Sequence, residues 1–474
     1  MMPQRIFRID PRAARFSLLG AAAALLACAS SAEPPSGLTA GPAAPVPPPA
    51  VAPAPQPAAT NAEPEPAQDF GEYRRRMELA AGAYTKKDFA GFLEHSLAAA
   101  RAFPSSPRAV YNLACAFSIN EKKEEAIAAL DRLADLRVYF DIGADSDFNN
   151  VNKMPEFQAL RARFEALKAP VTKSSVAFTI AQKDLIPEGV AHDPATGSFF
   201  VSSVHLRKIV KVGPSGKVVD FVKEGQHGFY AVLGIIADPP RGSLWACSTA
   251  VPEMKGYKKE EKGKAALVEL ELATGKLRRK ITPAEPEKEH NFNDLTVDSK
   301  GEIFIADPMA AAIYRLPAGS SDLEVFVPAG SLASPGGLAL SPDEKTLYVA
   351  DYSRGIARVD RASREVVFLL PPAGATLAGT DGLRLDRGDL IGIQNGIRPH
   401  RVVRIALEPD GRSIRAVTTL EMAHQSYNEP TLGVVAARDF VYIANSQWGS
   451  FDREGVIWKA DKLQEPVILK LPLD

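Results

Sequence analysis

The sequence predicts a multidomain chain, in which a small all-α helical-repeat domain is followed by an all-β six-bladed propeller. Three observations support this prediction. A strand–turn–strand pattern occurs six times in the second part of the chain. Apolar residues at helical spacing precede it, and a Pro- and Ala-rich stretch precedes both.

The repeated pattern is clearest in His290–Pro308, which contains a polar edge, a short apolar strand, a tight turn and a second apolar strand. The copies begin at Glu188, Leu233, Asn293, Gly336, Asp381 and Leu432. Most intervals are roughly 40–50 residues, which is typical of propellers with one four-stranded blade per repeat. We therefore predict a propeller over residues 171–474. We also expect Ser175–Ile180 and Val467–Leu471 to close the ring by pairing, since closure removes exposed strand edges.

The first 67 residues have the composition of an export signal and a tether. Residues 1–32 combine an Arg-containing start with an apolar run too short for a permanent membrane helix. Leu25–Cys28 resembles a bacterial lipobox, which predicts lipidation of Cys28; cleavage after Ala32 is the alternative. Residues 33–67 are rich in Pro and Ala and predict an extended, disordered linker that tethers a domain to a membrane; a disordered spacer without an anchor is the alternative. We expect a periplasmic or outer-membrane lipoprotein whose only membrane contact is the lipid anchor.

Residues 68–170 have a helical pattern. Pro107 begins one apolar-periodic segment, and first-turn positions favour proline. The alternation of small and bulky apolar residues resembles tetratricopeptide repeats, which predicts a protein partner for this region. Asp141, Asp145 and Asp147 raise the alternative of calcium binding, but their spacing lacks the Gly and terminal Glu of an EF-hand loop. We favour helix caps and turns for these aspartates.

Composition and motifs exclude several kinds of function. The net charge is −1, so no basic surplus supports nucleic-acid binding. The three cysteines, Cys28, Cys115 and Cys247, cannot build a disulfide framework or a cysteine metal site. The sequence contains no nucleophile elbow, no zinc-protease helix motif and no Gly-rich phosphate loop.

The residues that open the predicted inner strands indicate a candidate metal site. Glu188, Asn293 and Asp381 carry oxygen atoms and belong to alternate blades, so they converge on the axis. Two carboxylates and an amide suit a hard cation such as Ca²⁺, and without one the carboxylates repel each other. The alternative is that these are ordinary turn residues between blades. Residues closing the second strands, among them Asp307 and Asn395, are expected at the same mouth. His227 and His290 precede inner strands, but a loop histidine is more often merely solvated.

These motifs resemble those of the family of gluconolactonase, senescence marker protein and luciferin-regenerating enzyme. The resemblance covers roughly residues 176–474 and implies a six-bladed propeller with a divalent cation on its axis. It places metal-binding roles on Glu188 and Asp381, and substrate-side roles on Asn293 and Asp294. A further metal-binding Asn of the family is replaced here by Gly336. We expect Asn293 or water to take the place of that ligand.

Together these observations predict an exported, divalent-metal-dependent hydrolase-like propeller that acts on a lactone or another cyclic ester. The predicted metal ligands are Glu188, Asn293 and Asp381, with Ca²⁺ as the expected ion. Asp381 is also the predicted base that accepts a proton from water. Asp294, Asn395 and Asp307 are the predicted substrate-binding residues. The alternative function is a non-catalytic scaffold that binds a ligand or protein through its helical repeats and propeller.

Overall fold

The computed structural model of this chain describes residues 68–285, 288–452, 454–458 and 460–474. The predicted signal, the linker and Cys28 lie outside these residues. Within the described part, no helix is both long enough and apolar enough to cross a membrane. The predicted order of a helical region followed by a six-bladed propeller is confirmed.

The helical region contains five helices, and its sequence explains where three of them begin. Carboxylate or hydroxyl oxygens accept backbone N–H groups at the N-caps, from Glu72 to Asp69, from Gly91 to Asp88 and from Ala109 to Ser106. Such caps satisfy donors that a helix terminus leaves free. The helices are α1 (Phe70–Thr85), α2 (Phe89–Ala102), α3 (Pro107–Ile119), α4 (Lys123–Asp135) and α5 (Pro155–Ala166).

The propeller consists of six antiparallel four-stranded sheets, each ordered from the axis outwards. The first three blades are continuous in sequence. Blade 1 contains β2 (Pro187–Asp193), β3 (Ser198–Ser203), β4 (Lys208–Val212) and β5 (Val218–Val222). Blade 2 contains β6 (Ala231–Asp238), β7 (Ser243–Thr249), β8 (Ala265–Glu271) and β9 (Leu277–Ile281). Blade 3 contains β10 (Leu295–Val297), β11 (Ile303–Asp307), β12 (Ala312–Leu316) and β13 (Glu324–Val327).

The remaining blades complete the ring, and the last one joins the two ends of the propeller. Blade 4 contains β14 (Pro335–Leu340), β15 (Thr346–Asp351), β16 (Gly355–Asp360) and β17 (Val366–Phe368). Blade 5 contains β18 (Thr380–Asp386), β19 (Asp389–Gln394), β20 (Arg401–Leu407) and β21 (Ile414–Met422). Blade 6 contains β22 (Gly433–Ala436), β23 (Asp439–Ile443), β24 (Val467–Pro472) and β1 (Ser175–Thr179).

Ring closure occurs as the sequence predicts. Strand β1 pairs antiparallel with β24, with Ser175 opposite Lys470 and Thr179 opposite Val467. The earliest strand of the propeller therefore forms the outer edge of its last blade, and the ring is held by a hydrogen-bonded sheet.

The glycine that recurs near the start of the repeats has a packing reason. A Cβ on Gly234 would lie 2.6 Å from the carbonyl oxygen of Asn293, and one on Gly337 would lie 2.3 Å from the backbone nitrogen of Leu383. In both cases the obstacle is the backbone of the next blade. Neighbouring inner strands thus approach so closely around the axis that a side chain has no room, and this brings the ends of those strands together.

The helical region packs against the loop between β19 and β20 of blade 5. Ile397 of this loop is buried in the main hydrophobic cluster of the helices. The backbone N–H of Tyr139 donates to the Arg398 carbonyl oxygen over 2.6 Å. Buried Arg401 donates to the carbonyl oxygen of Arg137, just beyond the end of α4, over 3.1 Å. Since the same loop begins at Asn395, directly after the end of β19, the helical region is anchored beside this end of the second strand of blade 5.

Candidate functional site

One end of the central channel collects the starts of the inner strands and the ends of the second strands. Pro187 pairs with Ser203 in blade 1, and Thr380 pairs with Gln394 in blade 5. The residues next to these pairs therefore lie at a common face, which we call the axial mouth. Glu188 and Asp381 are both buried there.

Glu188 is completely buried and uses one of its two oxygens. The indole Nε1 of Trp448 donates to Glu188 Oε2 over 2.7 Å. Glu188 Oε1 is buried without a hydrogen-bond partner among the described residues. Burial raises the pKa of Glu188 well above its usual value, and the negative charge of nearby Asp381 raises it further.

Asp381 has a matching arrangement on the blade 5 side. The Nδ2 of Asn395 donates to Asp381 Oδ2 over 2.7 Å. Burial raises the pKa of Asp381 to about 7, against the lowering effect of this hydrogen bond, and the charge of Asp294 adds to the rise. The two carboxyl groups thus form a buried pair in which both cannot ionise without a strong penalty.

Asp294 lies close to this pair, but its carboxylate is neutralised by Arg384. Arg384 donates from Nη1 to Asp294 Oδ2 over 2.7 Å and from Nη2 to Oδ1 over 3.1 Å. The backbone N–H of Leu338 also contacts Asp294 Oδ2, at 3.3 Å. The ion pair crosses from blade 3 to blade 5. It leaves both oxygens of this predicted substrate-binding residue engaged.

Asp307 is likewise engaged in holding its own loop. Its Oδ2 lies 2.8 Å from Nδ1 of His290, and both side chains are buried. Its Oδ1 accepts the backbone N–H groups of Asn291, Met309 and Ala310 at 3.0–3.1 Å. The arrangement fixes the segment that leads to Asn293. His227, the other predicted loop histidine, contacts the carbonyl oxygen of Gly275 at 3.1 Å, in the outer part of blade 2.

Asn293 is buried immediately before Asp294, where blades 2 and 3 meet. Its backbone oxygen accepts from Gly234 over 2.7 Å, and its backbone nitrogen donates to Ala306 over 3.0 Å. Gly336 is adjacent to the acid pair, because a Cβ built there would lie 3.5 Å from Asp381 Oδ1. The position that resembles a family ligand is therefore next to Asp381 in space and has no side chain.

The residues at the mouth fit a divalent cation of the oxygen-binding type. Glu188 Oε1 and Asn395 Oδ1 are both buried acceptors without a partner among the described residues. A bound cation would satisfy them and offset the repulsion between Glu188 and Asp381. The set contains carboxylate and amide oxygens, with no thiolate or imidazole, and this chemistry suits Ca²⁺ or Mg²⁺.

The opposite part of the channel is mainly apolar. Beyond Arg384, towards the C-terminal ends of the inner strands, lies a cavity of about 200 Å³. Its lining is mainly apolar and comes from blades 1, 2, 5 and 6: Val190, Ala191, His192, Ile235, Ile236, Ala237, Arg384, Leu385, Val434 and Val435. The Asp294–Arg384 pair therefore lies between the acid pair and this cavity.

A second group of potential metal ligands occurs in the helical region. Ligand atoms of Cys115, Asp145 and Asp147 lie within 4.8 Å of one another. Their oxygens have partners, however. Asp145 accepts from the backbone of Asp147 over 2.9 Å and from the hydroxyl of Tyr111, and Asp147 accepts from the hydroxyl of Tyr84 over 2.7 Å. Asp145 also caps the short helix Ser146–Phe148. These contacts agree with a capping role.

Two residues of the mouth were not anticipated from the sequence. Trp448 is 260 positions from Glu188 in the chain, so no local spacing relates them. Arg384 follows Asp381 within β18, but its partner Asp294 belongs to another blade. Only the ring geometry brings each pair together.

Part of the propeller matches a known family model. Residues 186–420 match the family model described as SMP-30/Gluconolactonase/LRE-like region. A gluconolactonase structure from Xanthomonas campestris is 19% identical, with a TM-score of 0.44, and the match covers 65% of this chain and 93% of that one. A calcium-binding regucalcin from Agrobacterium tumefaciens is 16% identical, with a TM-score of 0.43 and coverages of 62% and 93%. No curated protein sequence matches this chain significantly.

Proposed function

Because residues 186–420 of this propeller form an SMP-30/gluconolactonase/LRE-like region, we propose that the protein is a divalent-metal-dependent hydrolase that opens a lactone or another cyclic ester. One observation supports it above all. Two carboxyl groups, Glu188 and Asp381, are buried together at the axial mouth, and Glu188 Oε1 lacks a partner among the described residues. A buried acid pair of this kind is costly to a fold unless a cation or a proton is held there.

The proposed ligands of the cation are Glu188, Asp381 and Asn293, and calcium is the proposed ion. A divalent cation at such a site polarises the carbonyl of an ester and lowers the pKa of water. In hydrolysis, water adds to the carbonyl carbon, the ring C–O bond breaks and a hydroxy acid is released. Asp381 is the proposed acceptor of the proton that water loses.

The surrounding residues prepare this chemistry. Trp448 and Asn395 each hold one oxygen of an acid, which fixes the direction of the other oxygen. Arg384 neutralises Asp294, so the mouth does not carry a third uncompensated negative charge. The helical region holds the loop after Asn395 from the side.

A lactone panel tests the proposal directly. The purified protein should release acid from at least one γ- or δ-lactone, and a chelator should stop the release until calcium is restored. Asp381→Asn should abolish turnover while the protein remains folded. The Glu188→Gln/Asp381→Asn variant, purified in the same way, controls for contaminating esterases. A chelator-insensitive activity, or equal activity in this double variant, would contradict the proposal.

The second candidate function is a non-catalytic binding scaffold, and Gly336 is the observation that favours it. This residue contributes no side chain beside Asp381. A scaffold of helices and propeller would bind a ligand or a protein partner without turnover. A protein that binds no divalent metal and opens no lactone would support this function.

We further propose that the chain is exported and anchored through Cys28. The basic start, the apolar run and Leu25–Cys28 support this location. Radiolabelled palmitate should enter the wild-type protein and not Cys28→Ala. A labelled Cys28→Ala, or an intact N-terminus retained in the cytoplasm, would contradict the lipid anchor or the export, respectively.

A further inference from the structure

The amide orientation of Asn395 follows from its surroundings. Nδ2 lies 2.7 Å from Asp381 Oδ2 and 2.9 Å from the backbone oxygen of Pro430. Both neighbours are acceptors, so only the NH₂ end of the amide can face them. A flipped amide would place three oxygen atoms against one another. Asn395 is only 8% exposed, so protein neighbours rather than solvent determine the orientation of its amide.

Because the nitrogen takes both of these contacts, the amide oxygen of Asn395 points elsewhere. Asn395 Oδ1 is buried and has no hydrogen-bond partner among the described residues. Glu188 Oε1 is in the same condition at the same mouth. A buried acceptor without a donor is costly to a fold, and a cation bound between these two oxygens would satisfy both of them.

The space next to Asp381 on the blade 4 side contains no side chain. A Cβ on Gly336 would lie 3.3 Å from the backbone oxygen of Asp381 and 3.5 Å from its Oδ1. The backbone of Gly336 has no positive φ that would require glycine. A larger residue therefore fits this backbone conformation once the Asp381 carbonyl oxygen moves by a few tenths of an ångström, yet the chain supplies no oxygen ligand from this position.

We propose that Asn395 supplies the amide oxygen ligand of the axial cation through Oδ1, and so replaces the side chain that Gly336 lacks. The inference rests on the proposed metal centre and adds a ligand to it. The two amide atoms of Asn395 then have separate roles: Nδ2 positions Asp381, and Oδ1 binds the ion. Water completes the coordination shell, as is usual for Ca²⁺.

The test compares calcium affinity and the number of waters on a bound ion. Asn395→Ala and Asn395→Ser should weaken calcium binding roughly 10- to 100-fold in calorimetry, the usual scale for losing a group that supports a metal. Terbium luminescence lifetimes in H₂O and D₂O should show about one additional water on the ion in these variants. A residue that merely positions Asp381 would change the affinity without adding this water.

Asn445 provides a matched control at the end of β23. Its Nδ2 donates to the Glu465 oxygen over 3.0 Å, and its Oδ1 accepts from the Val467 nitrogen over 2.6 Å. Asn445→Ala therefore loses two hydrogen bonds but no oxygen that could bind an ion, and it should bind calcium as the wild type does. Gly336→Asn added to Asn395→Ala should restore part of the lost affinity.

The outcomes separate the inference from the proposed function. If the wild type binds calcium and terbium, but Asn395→Ala and Asn395→Ser change neither the affinity nor the water count, Asn395 is not a ligand and the metal centre stands. If the wild type binds neither ion, the metal centre itself is wrong and the inference falls with it. Reduced affinity with one added water, and recovery in the double variant, would support the inference.

Discussion

The indole N–H of Trp448 donates a 2.7 Å hydrogen bond to Oε2 of Glu188, from a loop 260 residues further along the chain. Asn395 holds Oδ2 of Asp381 in the same way, also over 2.7 Å. Each acid of the Glu188–Asp381 pair is therefore held at one oxygen by a side-chain nitrogen. This shared pattern presets both carboxyl groups before any ligand arrives.

Trp448→Phe should weaken calcium binding by roughly 1.5–3 kcal/mol, the typical value of a hydrogen bond to a charged group. The ring is largely retained, so the loss isolates the N–H donor to Glu188. Trp245→Phe is the matched control, because Nε1 of buried Trp245 has no partner among the described residues. Calorimetric titration measures both variants. Equal affinities for the two would show that Trp448 only packs against the site.

The stability of the metal-free protein should fall as pH rises from about 4 to about 7. Burial raises the pKa of Asp381 to about 7 and raises that of Glu188, so the folded protein binds these protons more tightly than the unfolded chain does. The stabilisation that these protons give to the folded protein is present at low pH and is lost as pH rises through the raised pKa values. Melting in chelator across this range measures the fall, and saturating calcium should reduce it. A melting temperature in chelator that rises steadily over the same range would contradict the raised pKa values.

Asp381→Asn should stabilise the metal-free protein at pH 8, by on the order of 2–4 kcal/mol, because it removes a buried charge. The same change should remove the stabilisation by calcium. Urea unfolding with and without calcium measures both effects. If this variant is less stable than the wild type in chelator, burial of the Asp381 charge is not costly, contrary to our account.

Arg384→Met should destabilise the protein by roughly 3–5 kcal/mol, since it leaves Asp294 buried without its partner. The Asp294→Asn/Arg384→Met variant should recover much of this loss, because neither charge remains. Chemical unfolding of the wild type, Arg384→Met, Asp294→Asn and the double variant gives the double-mutant cycle. A purely additive cycle would mean that the ion pair across the channel contributes no coupling energy.

Ile397→Ala should cost roughly 2–5 kcal/mol, because the side chain fills the core of the helical region from a propeller loop. Since Asn395 begins the same loop, calcium affinity should fall as well, and Ile397→Val should preserve most of both properties. Unfolding and calcium titration of the three proteins provide the measurement. Unchanged affinity in Ile397→Ala would show that the helices do not support the mouth.

The sequence predicted the architecture because the repeats and the glycines at their starts are local signals of blade packing. Closure by β1 and β24 followed from the same pattern. The contacts of the site are different in kind. Trp448 with Glu188, and Arg384 with Asp294, join residues from separate blades whose spacing in the chain carries no signal. Likewise, whether an acid such as Asp307 is free or engaged depends on side-chain directions that only the folded ring determines.

Metal content and melting of the wild type and of Glu188→Gln/Asp381→Asn test the central claim most directly. Elemental analysis should find about one divalent ion per wild-type chain and none in the double variant. The wild type should melt at a higher temperature in calcium than in chelator, since a hundredfold excess over the dissociation constant adds about 2.7 kcal/mol. The double variant should not respond. A wild type without metal, with equal melting temperatures in calcium and in chelator, would contradict the metal centre.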